Sequence, residues 1–167
     1  RFCPPYFDDD IYIKALCSHI EKKIKKWKPD KILASFHGIP KKYFLKGDPY
    51  HCHCAKTVRL LNERLKKTKI QIELSFQSRF GPQEWLRPYM NEKFKELIDN
   101  DNKKIMMIAP GFSVDCLETL EEIKMEGQEE FKEMGGEKFE YISCLNDTEE
   151  SIATLKQIVK RELSGWI

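Results

Sequence analysis

No unbroken apolar run is longer than Ile105 to Phe112, far short of the ~20 residues that a bilayer-spanning helix needs. A membrane-spanning helix is therefore excluded, while contact with a membrane surface is not. No Gly-x-Gly-x-x-Gly turn, no phosphate loop with its lysine and no Gly-x-Ser-x-Gly elbow follows any candidate strand, so nucleotide-binding and ester-hydrolase readings lose their main support. Nor is there an excess of one charge: 29 Lys and Arg face 27 Asp and Glu, a net +2. That balance argues against a nucleic-acid polymer as partner. Cys-x-x-Cys pairs are missing, and of the six cysteines only Cys52 and Cys54 cluster. Reduced thiols in a cytosolic setting are the expectation. The sequence starts at Arg1 with neither an initiator Met nor an apolar leader, and so reads as a processed chain or a piece of something longer. Internal repeats, low-complexity tracts and Gly-rich linkers are absent as well.

What is present suits a folded domain. The 167 residues are 41% apolar and 34% charged, and ten Phe, six Tyr and three Trp can fill a core. Asp8, Asp9 and Asp10 offer caps for a helix over Ile11 to Trp27, with apolar residues at 13, 16, 20, 24 and 27. Lys31 to Phe36 reads as a buried strand, and a helix is predicted from about Cys54 to Lys67. Lys69 to Phe76 alternates and reads as a strand nearer the sheet edge. A helix interrupted near Pro88 is predicted over Trp85 to Asn100, then a strand over Lys103 to Ala109. Ser113 caps a helix running to about Met134, which Gly135-Gly136 ends. A fourth strand, Phe139 to Leu145, and a helix over Glu149 to Leu163 complete the pattern. Four short strands alternating with helices predict an α/β fold: a three-layer α-β-α sandwich around a four-stranded parallel sheet. Residues 1–30 form a leading helix and linker that pack on the domain, and 31–167 the main domain. Sites in such sheets lie outside the carboxyl ends of the strands, which directs attention to 37–53, 77–83, 110–118 and 145–148.

His37 leaves the first strand, and an imidazole there can take a proton or a metal, or be fixed by backbone hydrogen bonds. Gly38 beside it permits close approach of another group. Asp115, Glu118, Glu122 and Glu126 recur at helical spacing, which predicts four carboxylates on one face. Such a row is either a solvated face or an acid ladder that moves protons or cations, with Glu118 best placed at the crevice. His51, Cys52, His53 and Cys54 are soft in ligand character, but four adjacent residues do not close one tetrahedron without contortion. They are a soft-metal loop, a bridge to another half or subunit, or a loop packed on the crevice. Arg79 can bind a carboxylate, and Phe80, Trp85 and Tyr89 can stack on a flat ligand or fill the core. The lysines at 22–28 and 66–69 read as solvated faces, with weak scope for anionic lipid.

Several segments carry a resemblance: Ser35-Phe36-His37-Gly38-Ile39-Pro40, Lys46-Gly47-Asp48-Pro49-Tyr50 and Ser75-Phe76-Gln77-Ser78-Arg79-Phe80-Gly81. Trp85-Leu86-Arg87-Pro88-Tyr89, Pro110-Gly111-Phe112-Ser113-Val114-Asp115, Leu117-Glu118-Thr119-Leu120-Glu121-Glu122 and Cys144-Leu145-Asn146 extend it in order over nearly the whole chain. The sequence resembles the ferrochelatases, which insert ferrous iron into protoporphyrin IX to form protohaem. The resemblance implies a chelatase-like fold of two similar halves, of which this chain looks like the carboxyl half. It also implies partners: protoporphyrin IX and Fe2+ as substrates and the amino-terminal half of the same enzyme. His37 matches the family histidine that delivers iron or takes pyrrole protons, and Glu118 the carboxylate opposite it. Asp115, Glu122 and Glu126 match the acid ladder, with Arg79, Phe80 and Tyr50 as candidate substrate contacts. Cys116 stands where many members have His, which weakens any two-imidazole scheme. Some members carry an iron-sulfur cluster near the carboxyl terminus, but Gly165-Trp166-Ile167 holds no such cysteine, so that cluster is not implied and no resident cofactor is expected, with only a different cluster at Cys52 and Cys54 left open. A cytoplasmic location with peripheral membrane contact is expected. A tetrapyrrole- or metal-binding module without turnover, and a purely structural docking half, are the alternative readings.

Overall fold

The computed structural model describes residues 2–166; the expected outer bounds at Arg1 and Ile167 lie outside the described residues. Helix α1 (Asp10–Trp27) begins where the Asp9 side chain accepts from the Ile11 amide. It leads into β1 (Lys31–His37), a short α2 (Lys41–Leu45), α3 (Tyr50–Leu65) and β2 (Ile72–Gln77). Next come α4 (Met90–Asp99), β3 (Lys104–Ile108) and one helical turn, α5 (Leu117–Thr119). A π-helical segment (Leu120–Gly127) continues directly into α6 (Gln128–Glu133), before β4 (Lys138–Tyr141) and α7 (Glu149–Glu162). The strands form one parallel sheet in the order β2-β1-β3-β4, so the second strand is at the edge, as its alternation predicts.

Strand parity divides the molecule. Ile32, Ala34 and Phe36 of β1 face a core built with α1 and α3, together with Ile72, Phe76, Met106 and Ile108. Leu33 faces the opposite core with Ile105, Met107, Met90, Phe94, Ile123 and Phe131. Both faces of the sheet are thus covered, which gives the three layers and puts β1 in the centre. Ser35 and His37 share the parity of Leu33, so they lie on the α4 and π-segment side of the sheet. The leading helix packs on the sheet, with Tyr12, Ile13, Leu16, Ile20 and Ile24 of α1 in the first core.

Four local expectations are corrected. The third helix starts at Tyr50 rather than Cys54, because Pro49 occupies the entry and the Asp48 carboxylate accepts from the Tyr50 amide. Residues 85–89 are extended rather than helical: Trp85 bridges Pro40, Tyr89 bridges Phe76, and the Pro88 carbonyl accepts from the Phe76 amide. The fourth strand ends at Tyr141, since the chain beyond it turns to bind Asp115. The long helix from Ser113 does not form as one regular helix; it opens at Leu117 and its centre is a π segment. Gly127 ends that segment, where an added Cβ would lie 3.3 Å from the Met90 methyl carbon.

Candidate active site

The carboxyl end of β1 carries His37, partly buried. Its Nδ1 lies 2.7 Å from the Gly38 carbonyl oxygen. A carbonyl only accepts, so Nδ1 holds the proton and Nε2 of the neutral ring keeps its lone pair. The His37 carbonyl accepts from the Tyr50 hydroxyl at 2.9 Å, and the Trp85 ring lies 6.4 Å from the imidazole, centroid to centroid. Gly38 is needed here: a Cβ would stand 3.0 Å from the Gln77 carbonyl oxygen and 3.1 Å from the Trp85 ring.

Glu118 sits in the single turn of α5, fully exposed. Its carboxyl is held below the ordinary glutamate range by a hydrogen bond from the Cys116 thiol, then by its own backbone amide, and to a smaller extent by His37 whenever that ring carries a second proton. His37 and Glu118 both stand at the carboxyl ends of the strands, where such sheets place their sites, and Gln77 links them: it neighbours His37 in the ladder and its side chain donates to the Glu118 carbonyl oxygen. A row of polar residues floors the crevice. The Ser35 hydroxyl donates to Gln77 Oε1 at 2.8 Å, and Gln77 Nε2 donates to the Glu118 carbonyl oxygen at 2.6 Å and to Glu122 Oε2 at 3.0 Å. Glu122 accepts again from the Ser78 amide and hydroxyl, at 2.5 and 2.6 Å. These bonds hold Ser78 at a φ of 63°, a left-handed conformation that costs a non-glycine residue energy.

The four-carboxylate row on one helix face is corrected. Asp115 lies ahead of the helix and is turned toward the end of β4, where Tyr141, Asn146 and the Cys144 amide bind it. Glu118, Glu122 and Glu126 do follow one another through α5 and the π segment, whose wider turn, roughly four to five residues, keeps a spacing of four nearly in line. Glu126 is exposed.

The residues 51–54 are dispersed by their helix rather than gathered. His51 packs on Phe44 and Phe76, His53 stacks on Phe7 at 3.8 Å, Cys54 is buried and Cys52 is exposed. Successive side chains on a helix point about 100° apart, so they do not converge, which corrects the soft-metal loop. Among the described residues no group of three or more His, Cys, Asp or Glu is placed to hold a metal ion. All six cysteines are free.

Tyr50, a candidate substrate contact, stands on the other side of β1 from Ser35 and His37. Its hydroxyl is spent on His37, and it lines a cavity of about 240 Å³ on the other side of the sheet with Phe36, Tyr6, Tyr12 and Cys54. Arg79 and Phe80 stand at the crevice rim, both exposed, with the Arg79 guanidinium 4.6 Å from the Tyr89 ring centre. Three contributors, Ser35, Gln77 and Ser78, are not among the candidate site residues of the sequence. The signal for Ser35 was available: polar residues at 35, 37, 73, 75 and 77 share one strand parity in otherwise apolar strands.

A family model described as Ferrochelatase matches residues 1–163. Curated ferrochelatases match the whole chain: that of Rhizobium leguminosarum bv. trifolii (strain WSM2304) is 53% identical and that of Rhizobium meliloti (strain 1021) 52%, with 49% and 50% of their own lengths covered. The ferrochelatase of Brucella ovis is 49% identical, with 48% of its length covered. The chain spans about half the length of the curated relatives it matches. With a match over nearly every residue and identity near one half, the chain belongs to the ferrochelatase family.

Proposed function

We propose that this chain supplies the metal-insertion half of a ferrochelatase, acting on protoporphyrin IX and Fe2+ together with an amino-terminal half like the one its relatives possess. The observation that carries the reading is the link through Gln77, which neighbours His37 in the sheet and donates to the Glu118 carbonyl, so that both residues stand at the same end of the strands. Two pyrrole N–H bonds break as two of the four iron–nitrogen bonds take their electron pairs, and two protons leave. The free Nε2 of His37 is suited to accept one proton at a time, or to hand iron to the ring. The ionised Glu118 opposite stabilises the cation beside it, and Glu122 and Glu126 extend the negative path along the π segment. The reaction needs no resident cofactor, because iron enters as substrate.

Exposed apolar side chains at the rim, Phe44, Leu45, Phe80 and Leu117, support a flat apolar substrate, with the Arg79 guanidinium suited to a propionate. Contact with the periphery of a membrane, in the cytoplasm, belongs to the same proposal, since such a substrate partitions there. For the partner half, the support is the outer face of α7 together with the half-length match.

The test pairs this chain with the amino-terminal half of the Rhizobium meliloti ferrochelatase and follows iron insertion by the haem absorption band. His37→Ala and Glu118→Gln are each expected to lower the rate by about 10²-fold or more, with far-ultraviolet circular dichroism and the urea midpoint unchanged. Wild-type rates in either variant overturn the assignment. Tight porphyrin binding with no insertion by the wild-type pair would replace it with the binding module.

A further inference from the structure

Gln77 is the last residue of β2 and is 5% exposed. It pairs with His37 across the parallel ladder, and its side chain shares the sheet face of Ser35 and His37. Every hydrogen-bonding position of its amide nitrogen is used, one on the Glu118 carbonyl and one on the Glu122 carboxylate, while its oxygen accepts from Ser35. One carboxamide thus joins the strand that ends in His37 to the turn that carries Glu118. It makes the join through the Glu118 main chain and leaves that residue's carboxylate free.

The join sits at the entrance to an unfavourable stretch of backbone. The π segment opens two residues after Glu118, and an i→i+5 turn is less favourable than an α-turn, so it persists only where surrounding contacts hold it. The buried Ile123 anchors one side of that segment. On the crevice side the anchors are the Gln77 and Ser78 hydrogen bonds. Glu122 is the other end of the clamp, since its carboxylate takes three donors from two consecutive residues at the end of β2.

We propose that Gln77 is a positioning residue for iron insertion: its carboxamide fixes the Glu118 carbonyl, and with it the separation between the Glu118 carboxylate and His37. The inference rests on the functional reading above and assigns Gln77 no contact with substrate. A misplacement of about 1 Å between reacting groups can cost 10²-fold in rate, so the tether acts on turnover more than on substrate affinity.

The experiment uses the same pair of halves. Gln77→Leu keeps the size of the side chain and removes its donors; kcat is expected to fall about a hundredfold with KM for porphyrin within about threefold of wild type. The double variant Gln77→Glu/Glu122→Gln separates positioning from simple stabilisation. It restores a hydrogen bond between 77 and 122 with reversed polarity, but an ionised carboxylate at 77 has no proton for the Glu118 carbonyl. Thermal stability is expected to recover while kcat stays low. Recovery of kcat together with stability, or an unchanged kcat in Gln77→Leu, overturns the proposal. Should Gln77→Leu fail to fold, the double variant carries the kinetic test. A second arm uses this chain alone. Amide hydrogen exchange over Leu120–Gly127 is expected to speed up at least tenfold in Gln77→Leu, and unchanged protection overturns the tether whether or not the pair inserts iron. A wild-type pair that is inactive while exchange does respond defeats the functional reading, and with it the positioning role, but identifies which of the two failed.

Discussion

Asp115 receives a hydrogen bond from the Tyr141 hydroxyl at 2.7 Å, from Asn146 Nδ2 at 2.8 Å and from the Cys144 amide at 3.1 Å. Partial burial opposes its ionisation, but these donors outweigh that cost and lower its pKa below the ordinary 3.8. A carboxyl whose pKa falls on folding adds stability above its unfolded pKa and loses it as the pH drops through the folded value. Asp115→Asn presents an amide nitrogen to a site filled with donors. Its expected cost is about 1.5–3 kcal/mol, the range for hydrogen bonds to charged groups. The gap between wild type and variant should be widest near pH 7, narrow below pH 3.8, and close once the native carboxyl is protonated. Urea unfolding followed by circular dichroism across that range checks it; a gap that is constant with pH would show that charge plays no part. This residue also marks a limit of spacing arguments. Its distance of three from Glu118 fits a helix face, yet Asn146 lies 31 residues away and offers its side chain to both the amide and the carboxylate of Asp115. No pattern local to 115–126 contains that information.

Among the elements, what could be read from the sequence is what depends on periodicity. The alternation of Ile72, Leu74 and Phe76 and the apolar run within Lys31–Phe36 mark a strand nearer the edge and a buried one, and the sheet has β2 at its edge and β1 between β2 and β3. His37 and Glu118 fall at strand-end and helix-start positions for the same reason. The π segment was not legible, because Leu120–Gly127 carries the same residue types as an α-helix and is set by Gln77, Ser78 and Met90 from other elements. The extended course of 85–89 is likewise decided by Phe76 and Pro40. Equally hidden was the tie between β2 and α4. Lys93, 7% exposed in the middle of α4, reaches Glu73 at 2.5 Å and Glu96 at 2.8 Å, and Lys31 reaches Glu73 from the other side at 3.1 Å. Removing one partner of a buried pair typically costs about 3–5 kcal/mol. Since Lys31 still faces Glu73, Lys93→Ala is expected to cost less, about 2 kcal/mol. The double variant Lys93→Met/Glu73→Leu should recover most of it, because the shielded Glu73 carboxylate is then gone, Lys31 keeps its hydrogen bond to the Gln71 side chain, and Glu96 is exposed to water. Urea midpoints decide this, and a double variant no better than the single one would mean that packing, not charge, holds α4 to the edge strand.

At the scale of the whole molecule, α7 presents its faces in an unusual order. Toward the protein it buries Ser151, Thr154 and Ile158. Toward solvent it shows Ile152, Leu155 and Val159, and Leu163 and Trp166 continue the stripe beyond its end with exposures from 37% to 72%. A surface helix ordinarily turns its apolar face inward, and a contiguous exposed stripe of this kind marks an interaction surface. Under the proposed function the occupant of this stripe is the other half of a ferrochelatase, a reading that the half-length match to relatives of about twice this size supports. Cys3 points the same way, since it lines one groove with Ile158, Val159, Leu163 and Trp166. Leu155→Glu/Val159→Glu is therefore expected to weaken association with the Rhizobium meliloti amino-terminal half at least tenfold, measured by titration calorimetry. The thermal midpoint of this chain alone should change by no more than about 2 °C, because exposed positions away from special contacts contribute little to folding. Self-association of the chain that the same substitutions abolish would assign the stripe to a second copy instead. Association with the amino-terminal half that ignores them would move the interface elsewhere, to the apolar rim around His37 and Glu118, and the crevice would then be closed directly by the partner rather than positioned by a contact at α7.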